Sequence, residues 1–192
     1  MPLNVIPTAI ADVLVLVPQV FEDDRGSFVE SFNARAFAAA TGVETTFVQD
    51  NHSLSGRRVL RGMHYQISHP QGKLIRVIEG SVFDVAVDLR RSSPTFGRWV
   101  GEVLSAENRR QMWIPPGFAH GFVVLGERAQ CLYKTTDYWY PEFERTVLWN
   151  DPDIGIAWPI AFAPQLADKD AKALPLSAVE TFAWLLPSPK SN

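Results

Sequence analysis

Cysteine is almost missing from this chain. Cys131 is the single one among 192 residues, which excludes an intrachain disulfide and any cysteine-rich metal site. Among apolar neighbours it reads as a small core residue. No apolar run approaches the roughly 20 residues that cross a bilayer. The opening MPLNVIPTAI also lacks the positive n-region and long apolar h-region of a secretory signal, so a soluble, cytoplasmic protein is expected. An excess of charge of one sign is absent too: the net charge of −3 gives no electrostatic reason to expect nucleic acid or an acidic membrane as partner. Single basic residues remain free to grip a small anion.

What is present is apolar and turn-rich. With 46% hydrophobic and 11% aromatic residues, the chain suffices for one core and one domain, residues 1–192. The periodicity is mostly two. Val13 to Val17 runs up to Pro18, and Phe83 to Leu89 alternates apolar residues with carboxylates, as strands do. Glu79-Gly80 interrupts Leu74 to Leu89 as a hairpin turn would, and Arg91 to Pro94 and Pro115-Pro116-Gly117 break the chain again at short intervals. One stretch reads as helix: Asn33 caps it, Ala34 to Ala40 favour it and Gly42 closes it. Many short strands with little helix predict a mainly β, antiparallel sandwich or small barrel. From residue 160 the pattern dissolves into Pro- and Ala-rich segments around the charged Asp168-Lys169-Asp170, and residues 160–192 are expected to pack on the barrel.

Parity decides which polar groups share a barrel lumen. Gly62, His64 and Gln66 share one face of LRGMHYQ; His120, Phe122 and Val124 share a face of their strand; Cys131, Tyr133 and Thr135 share a face of QCLYKTT. With the apolar members inward, His120 and Tyr133 point inward too. Two chemistries suit such a lumen. PPGFAH, residues 115–120, fits the P-x-G-x-x-H pattern that carries a metal-binding histidine in cupins, yet the matching stretch GMHYQISHPQGK has Gln66 where a second histidine would stand and Lys73 in place of an acidic ligand. An ammonium repels a divalent ion, so no metal site is assigned. His69, beside Pro70, reads as a solvated surface residue. The other chemistry is acid–base work: a histidine base near neutral pH, an opposed tyrosine acid and a lysine stabilising charge on oxygen are what removal and replacement of a proton beside a carbonyl require.

DDRGSFVESFN, FVQDNHS, LRGMHYQ, QGKLIRVIEGSVFDVAVDLRRSSPTFGRWVG, LSAENRRQMWIPPGFAHGF, YKTTDYWYPEFERTVLWNDPDIGIAWP and DKDA occur in continuous order over residues 3 to 175. Together they resemble the dTDP-4-dehydrorhamnose 3,5-epimerase family of deoxysugar-nucleotide enzymes. The resemblance implies a cupin-type jelly roll that uses no cofactor and acts on a dTDP-4-keto-6-deoxyhexose as a homodimer. It implies His64 as base oriented by Asp170, Tyr133 as opposing acid, Lys73 beside the enolate oxygen and His120 in contact with substrate. For the nucleotide it implies Arg25, Arg61 and Lys169 near the diphosphate, and Glu30, Gln49, Asp50, Asn51 and Glu144 around base and sugar. Arg25, Phe28 and Glu30 are the candidates to reach a partner subunit's site. The family commonly stacks thymine on two adjacent tyrosines, where this chain has Tyr138-Trp139; an indole stacks at least as broadly as a phenol. Still open are an epimerase of C3 alone or C5 alone, a metal-dependent cupin oxygenase or isomerase, and a non-catalytic sugar-nucleotide binding module.

Overall fold

The computed structural model describes residues 3–183, so residues 184–192 of the expected barrel-packing segment lie outside the described residues. The chain is mainly β. In order it forms β1 (Leu3–Pro7), β2 (Leu14–Pro18), β3 (Val20–Asp23), β4 (Gly26–Val29), α1 (Ala34–Thr41), β5 (Gln49–Gly56), β6 (Leu60–Gln66), β7 (Lys73–Glu79), β8 (Ser81–Asp88), β9 (Trp99–Ser105), β10 (Gln111–Ile114), β11 (Phe118–Val124), β12 (Arg128–Thr135), β13 (Glu144–Thr146) and the single-turn α2 (Asp168–Ala171). Six strands, ordered β1-β2-β10-β7-β12-β5, form one antiparallel sheet, and five, β13-β6-β11-β8-β9, form the other; β3 and β4 pair only with each other.

The expected hairpin at Glu79-Gly80 is a sheet-switching corner instead. β7 lies between β10 and β12 in the larger sheet, while β8 lies between β11 and β9 in the smaller. Gly80 makes the corner possible, with φ of 70° and a backbone so close to Arg128 O that a Cβ would sit 2.0 Å from it. A sequence shows that a strand is interrupted, not which sheet its second half joins.

Between the sheets lie Ile75, Val77, Val82, Ala86, Leu104, Met112, Phe122 and Cys131. The outer face of the larger sheet is covered by α1, whose Phe37 meets Trp113 and Phe47 edge to face. Asn33 accepts from Ala36 N–H at the start of this helix and Gly42, at φ 71°, ends it, as the sequence predicts. The outer face of the smaller sheet, with Met63, Tyr65, Val85 and Val87, is buried beneath Ile154, Leu176 and Phe182. The tail thus seals one wall of the barrel, and α2 within it, not foreseen as a helix, delivers Asp170 to the lumen.

Candidate active site

The sheets enclose, at one end, a cavity of about 610 Å³, within the ~300–1,000 Å³ usual for small-molecule sites. His64 and His120 are register partners on β6 and β11 of the smaller sheet. They are close because two glycines remove side chains where the strands cross: a Cβ on Gly62 would lie 2.6 Å from Gly121 Cα, and one on Gly121 2.7 Å from Arg61 O. The register slips between His120 and Phe122, so β6 spends three steps, His64 to Arg61, against two on β11. This bulge breaks strict alternation. It brings Arg61 to the same lumen as His64, while Met63 and Tyr65 pack on the outer face.

Asp170 Oδ1 lies 2.6 Å from His64 Nε2, and its Oδ2 accepts from Gly62 N–H at 3.2 Å. Burial lowers the His64 pKa, against the opposing pull of the hydrogen bond and charge of Asp170. Burial alone raises Asp170, but the bonds from His64 and Gly62 outweigh it and hold the carboxyl below its usual range. In the neutral ring Nε2–H donates to the carboxylate, leaving Nδ1 as the basic nitrogen.

A second pair, not found in the sequence, stands beside the first. His120 Nε2 is 2.6 Å from Asp84 Oδ1, and Asp84 is fully buried with its other oxygen unpartnered. The signal was available, since Asp84 and Asp88 alternate with the apolar residues of β8. On this strand the apolar side chains Phe83, Val85 and Val87 pack outward beneath the tail, and the carboxylate face turns inward.

Lys73 opens β7 on the larger sheet, its ammonium donating to His64 O at 3.3 Å. Burial pulls its pKa down to about 8, with Glu144 and Asp84 resisting. Tyr133, on β12 of the same sheet, lines the cavity on the wall opposite the histidines, and burial raises its phenol.

The other expected positions divide. Gln49, Asn51, Arg61, Trp139, Glu144 and Lys169 line the cavity with His64, Lys73, His120, Tyr133 and Asp170. Glu144 and Lys169 are paired at 2.9 Å, and Arg61 donates to Ser55 Oγ at 2.9 Å. Asp50 does not reach this lumen: lying between Gln49 and Asn51 on β5, it faces outward and pairs with Lys134 at 2.9 Å, as alternation requires. Tyr138 is exposed beside Trp139 and lies outside the cavity wall. Arg25, Phe28 and Glu30 are not among its lining residues either; Arg25 binds Asp23 at 2.6 Å, Glu30 accepts from Asn33, and Phe28 is 60% exposed. His69 is a surface residue, as read from the sequence, its side chain 48% exposed in the loop after β6, where its ring also lies against Tyr140 and Phe143 and pairs with Asp137 at 3.3 Å. Gln66, at the cupin metal-ligand position, spends its whole amide on the backbone of His69, Tyr138 and Tyr140. Among the described residues no three His, Cys, Asp or Glu side chains converge to hold a metal ion.

A base on one wall facing a phenol on the other, with a buried cation between the sheets, is the arrangement of a barrel isomerase working by proton transfer. Residues 7–178 match the dTDP-4-dehydrorhamnose 3,5-epimerase family, and the chain belongs to that family. It is 62% identical over 174 residues to the dTDP-4-dehydrorhamnose 3,5-epimerase of Pseudomonas aeruginosa, covering 91% of this chain and 96% of that one. Its structure superposes with a TM-score of 0.93 on the dTDP-6-deoxy-D-glucose-3,5-epimerase of Legionella pneumophila solved with dTDP-4-keto-L-rhamnose, at 47% identity over 96% of this chain and 100% of that one. A 3'-monoepimerase from Streptomyces bikiniensis, solved with dTDP-quinovose, superposes at 0.84 with 35% identity, covering 89% and 87%.

Proposed function

We propose that this chain epimerises dTDP-4-dehydro-6-deoxy-D-glucose at C3 and C5, giving dTDP-4-dehydro-L-rhamnose. The observation that carries this reading is the His64–Asp170 pair on one wall of the cavity with Tyr133 on the other. Protons at C3 and C5 both adjoin the C4 ketone and are acidified by it. His64 takes one of them on its free nitrogen, and the C–H electrons move into the ring bond as the carbonyl becomes an enolate. Lys73 places its positive charge by that oxygen in a largely dry site, where it is worth more than in water. Tyr133 then donates its phenolic proton to carbon from the opposite side, inverting the centre; the spare proton on His64 returns to solvent and Tyr133 is reprotonated. The Asp170 carboxylate stabilises the transient imidazolium. His120, held by Asp84, lies on the His64 wall in contact with the ring, while Arg61 and Lys169 offer donors to the diphosphate.

The reaction needs no metal or organic cofactor, because the ketone itself supplies the acidity. Nor does it call on nucleic acid or a membrane. No described helix is long and apolar enough to cross one. We place the enzyme in the cytoplasm on the strength of its proposed sugar-nucleotide chemistry. Among the described residues the hairpin β3–β4 has no strand partner outside itself, and it carries Phe21 and Phe28 exposed; a lone two-stranded hairpin is marginal in water. We assign it to a homodimer, in which Arg25, Phe28 and Glu30 reach the partner's cavity. We read the described residues, 3–183, as one domain.

Incubation with the 4-keto sugar nucleotide in heavy water tests the reading. Deuterium at both C3 and C5 by NMR supports it; label at one centre means a monoepimerase, and binding without label means a non-catalytic module. Sedimentation of a monomer at working concentration overturns the dimer.

A further inference from the structure

Three glutamines grip the backbone of four consecutive residues at the cavity mouth. Gln71 Nε2 donates to Asp137 O at 2.9 Å, Gln66 Nε2 to Tyr138 O at 3.1 Å, Trp139 N–H to Gln49 Oε1 at 3.1 Å and Tyr140 N–H to Gln66 Oε1 at 2.8 Å. Gln66 is saturated by these bonds and the one it donates to His69 O. Gln49 differs, because its amide passes the bond onward: Nε2 donates to Asn51 Oδ1 at 3.0 Å.

The polarity of this chain is not free. A backbone N–H only donates, so the Gln49 atom facing Trp139 is the carbonyl oxygen, and the atom facing Asn51 is the amide nitrogen. The Asn51 atom that meets it must then be its own carbonyl oxygen. Both Asn51 Nδ2 hydrogens are left to other acceptors, and no described residue takes them. Asn51 is the register partner of Tyr133 on the neighbouring strand, so the two side chains stand together on the lumen face.

We propose that Gln49 is a positioning residue: by accepting from Trp139 N–H and donating to Asn51 Oδ1, it fixes the Asn51 amide with its donors toward the lumen beside Tyr133, where they meet an acceptor oxygen of the sugar. This rests on the reading of the cavity as a dTDP-4-keto sugar site. Its consequence is that the loop bearing Trp139 and the position of the reacting ring are coupled through one amide. The donors of Asn51 bind a ring oxygen only in the orientation that the seated loop dictates.

A double-mutant cycle tests it. Gln49→Met removes the relay and Asn51→Ala the donors it orients. With wild-type turnover as reference, each single variant is expected to lower kcat about tenfold, and the double variant no further than either. Multiplied losses near a hundredfold, or a Gln49→Met variant with unchanged kcat, overturn the relay. An independent readout needs no turnover: in the unliganded wild-type protein the Asn51 side-chain amide protons should show NOEs to the Tyr133 ring. NOEs from them to the Gln49 side-chain amide with none to Tyr133 reverse the assigned polarity and sink the proposal. Should wild type bind dTDP yet turn over no 4-keto sugar, the functional reading fails while the NOE result still decides the relay.

Discussion

His64 and Asp170 are 106 residues apart in the chain and 2.6 Å apart in space. Asp170 is buried even though it belongs to a one-turn helix in a largely exposed tail. The carboxylate also takes Gly62 N–H, so it is anchored to the strand that carries the histidine. A carboxylate held to β6 at two points in this way fixes the orientation of the His64 ring.

Asp170→Asn keeps the shape of this contact and removes its charge. The imidazolium then lacks its stabilising partner, and the asparagine amide can hold the ring in the wrong tautomer. Turnover should fall by about 10²–10⁴, as it should in His64→Ala, with dTDP affinity nearly unchanged in both. Calorimetric titration with dTDP beside steady-state rates checks this; weakened binding with turnover intact would reverse the roles.

Tyr133→Phe separates the two half-reactions. His64 can still remove a proton and return solvent hydrogen to the same face, so deuterium should enter the substrate without inversion. NMR of the recovered sugar nucleotide, read for label and for ring configuration, distinguishes this from loss of both, which would place the phenol in proton abstraction instead.

Much of this site was legible in the sequence because strand parity is a strict constraint. It places His120 and Tyr133 in one lumen, and it also explains why Asp50, between Gln49 and Asn51, falls outside; His64, on a strand whose apolar residues Met63 and Tyr65 face the other way, was placed by family resemblance. Two features escaped it. The β6 bulge adds Arg61 to the lumen by breaking alternation, and the tail covers the smaller sheet, so β8 buries both faces and turns Asp84 inward against His120. The bulge has no local signature, and the tail, though expected to pack on the barrel, carries none that says which sheet it covers. The Glu79-Gly80 corner was misjudged for a related reason, since turn residues look alike whether a chain folds back within a sheet or crosses to the other. That Asp170 meets His64 was available only through family resemblance; spacing alone leaves an Asp in a charged tail as a solvated residue.

Lys73 trades stability for chemistry. Its pKa is about 8 in the folded protein against 10.5 ordinarily, so below pH 8 the fold carries a buried ammonium at a cost of roughly 3 kcal/mol. Between pH 8 and 10.5 the unfolded chain binds the extra proton, and stability rises with pH as the cost is relieved. Lys73→Met should therefore unfold at higher denaturant than wild type at pH 7, lose that advantage toward pH 10 and be inactive throughout. A less stable Lys73→Met at pH 7 would mean that the ammonium gains more from Glu144, Asp84 and His64 O than burial costs it.

On the proposed mechanism, His64 and Lys73 set the pH profile of the reaction. His64 must be neutral to act as base, and burial holds its pKa below 6.5, so the acid limb of kcat/KM should lie below pH 6.5, with activity lost as protonation proceeds. Lys73 must be charged to stabilise the enolate, so the alkaline limb should fall near pH 8. Tyr133 must keep its proton, but its pKa is raised by burial and its loss would come at higher pH, behind that of lysine. Lys73→Arg discriminates between the two. A guanidinium stays charged far above pH 8, so in whatever activity this variant retains, the alkaline limb should move up until tyrosine ionisation sets it. An alkaline limb that stays near pH 8 would show that a group other than Lys73 governs it.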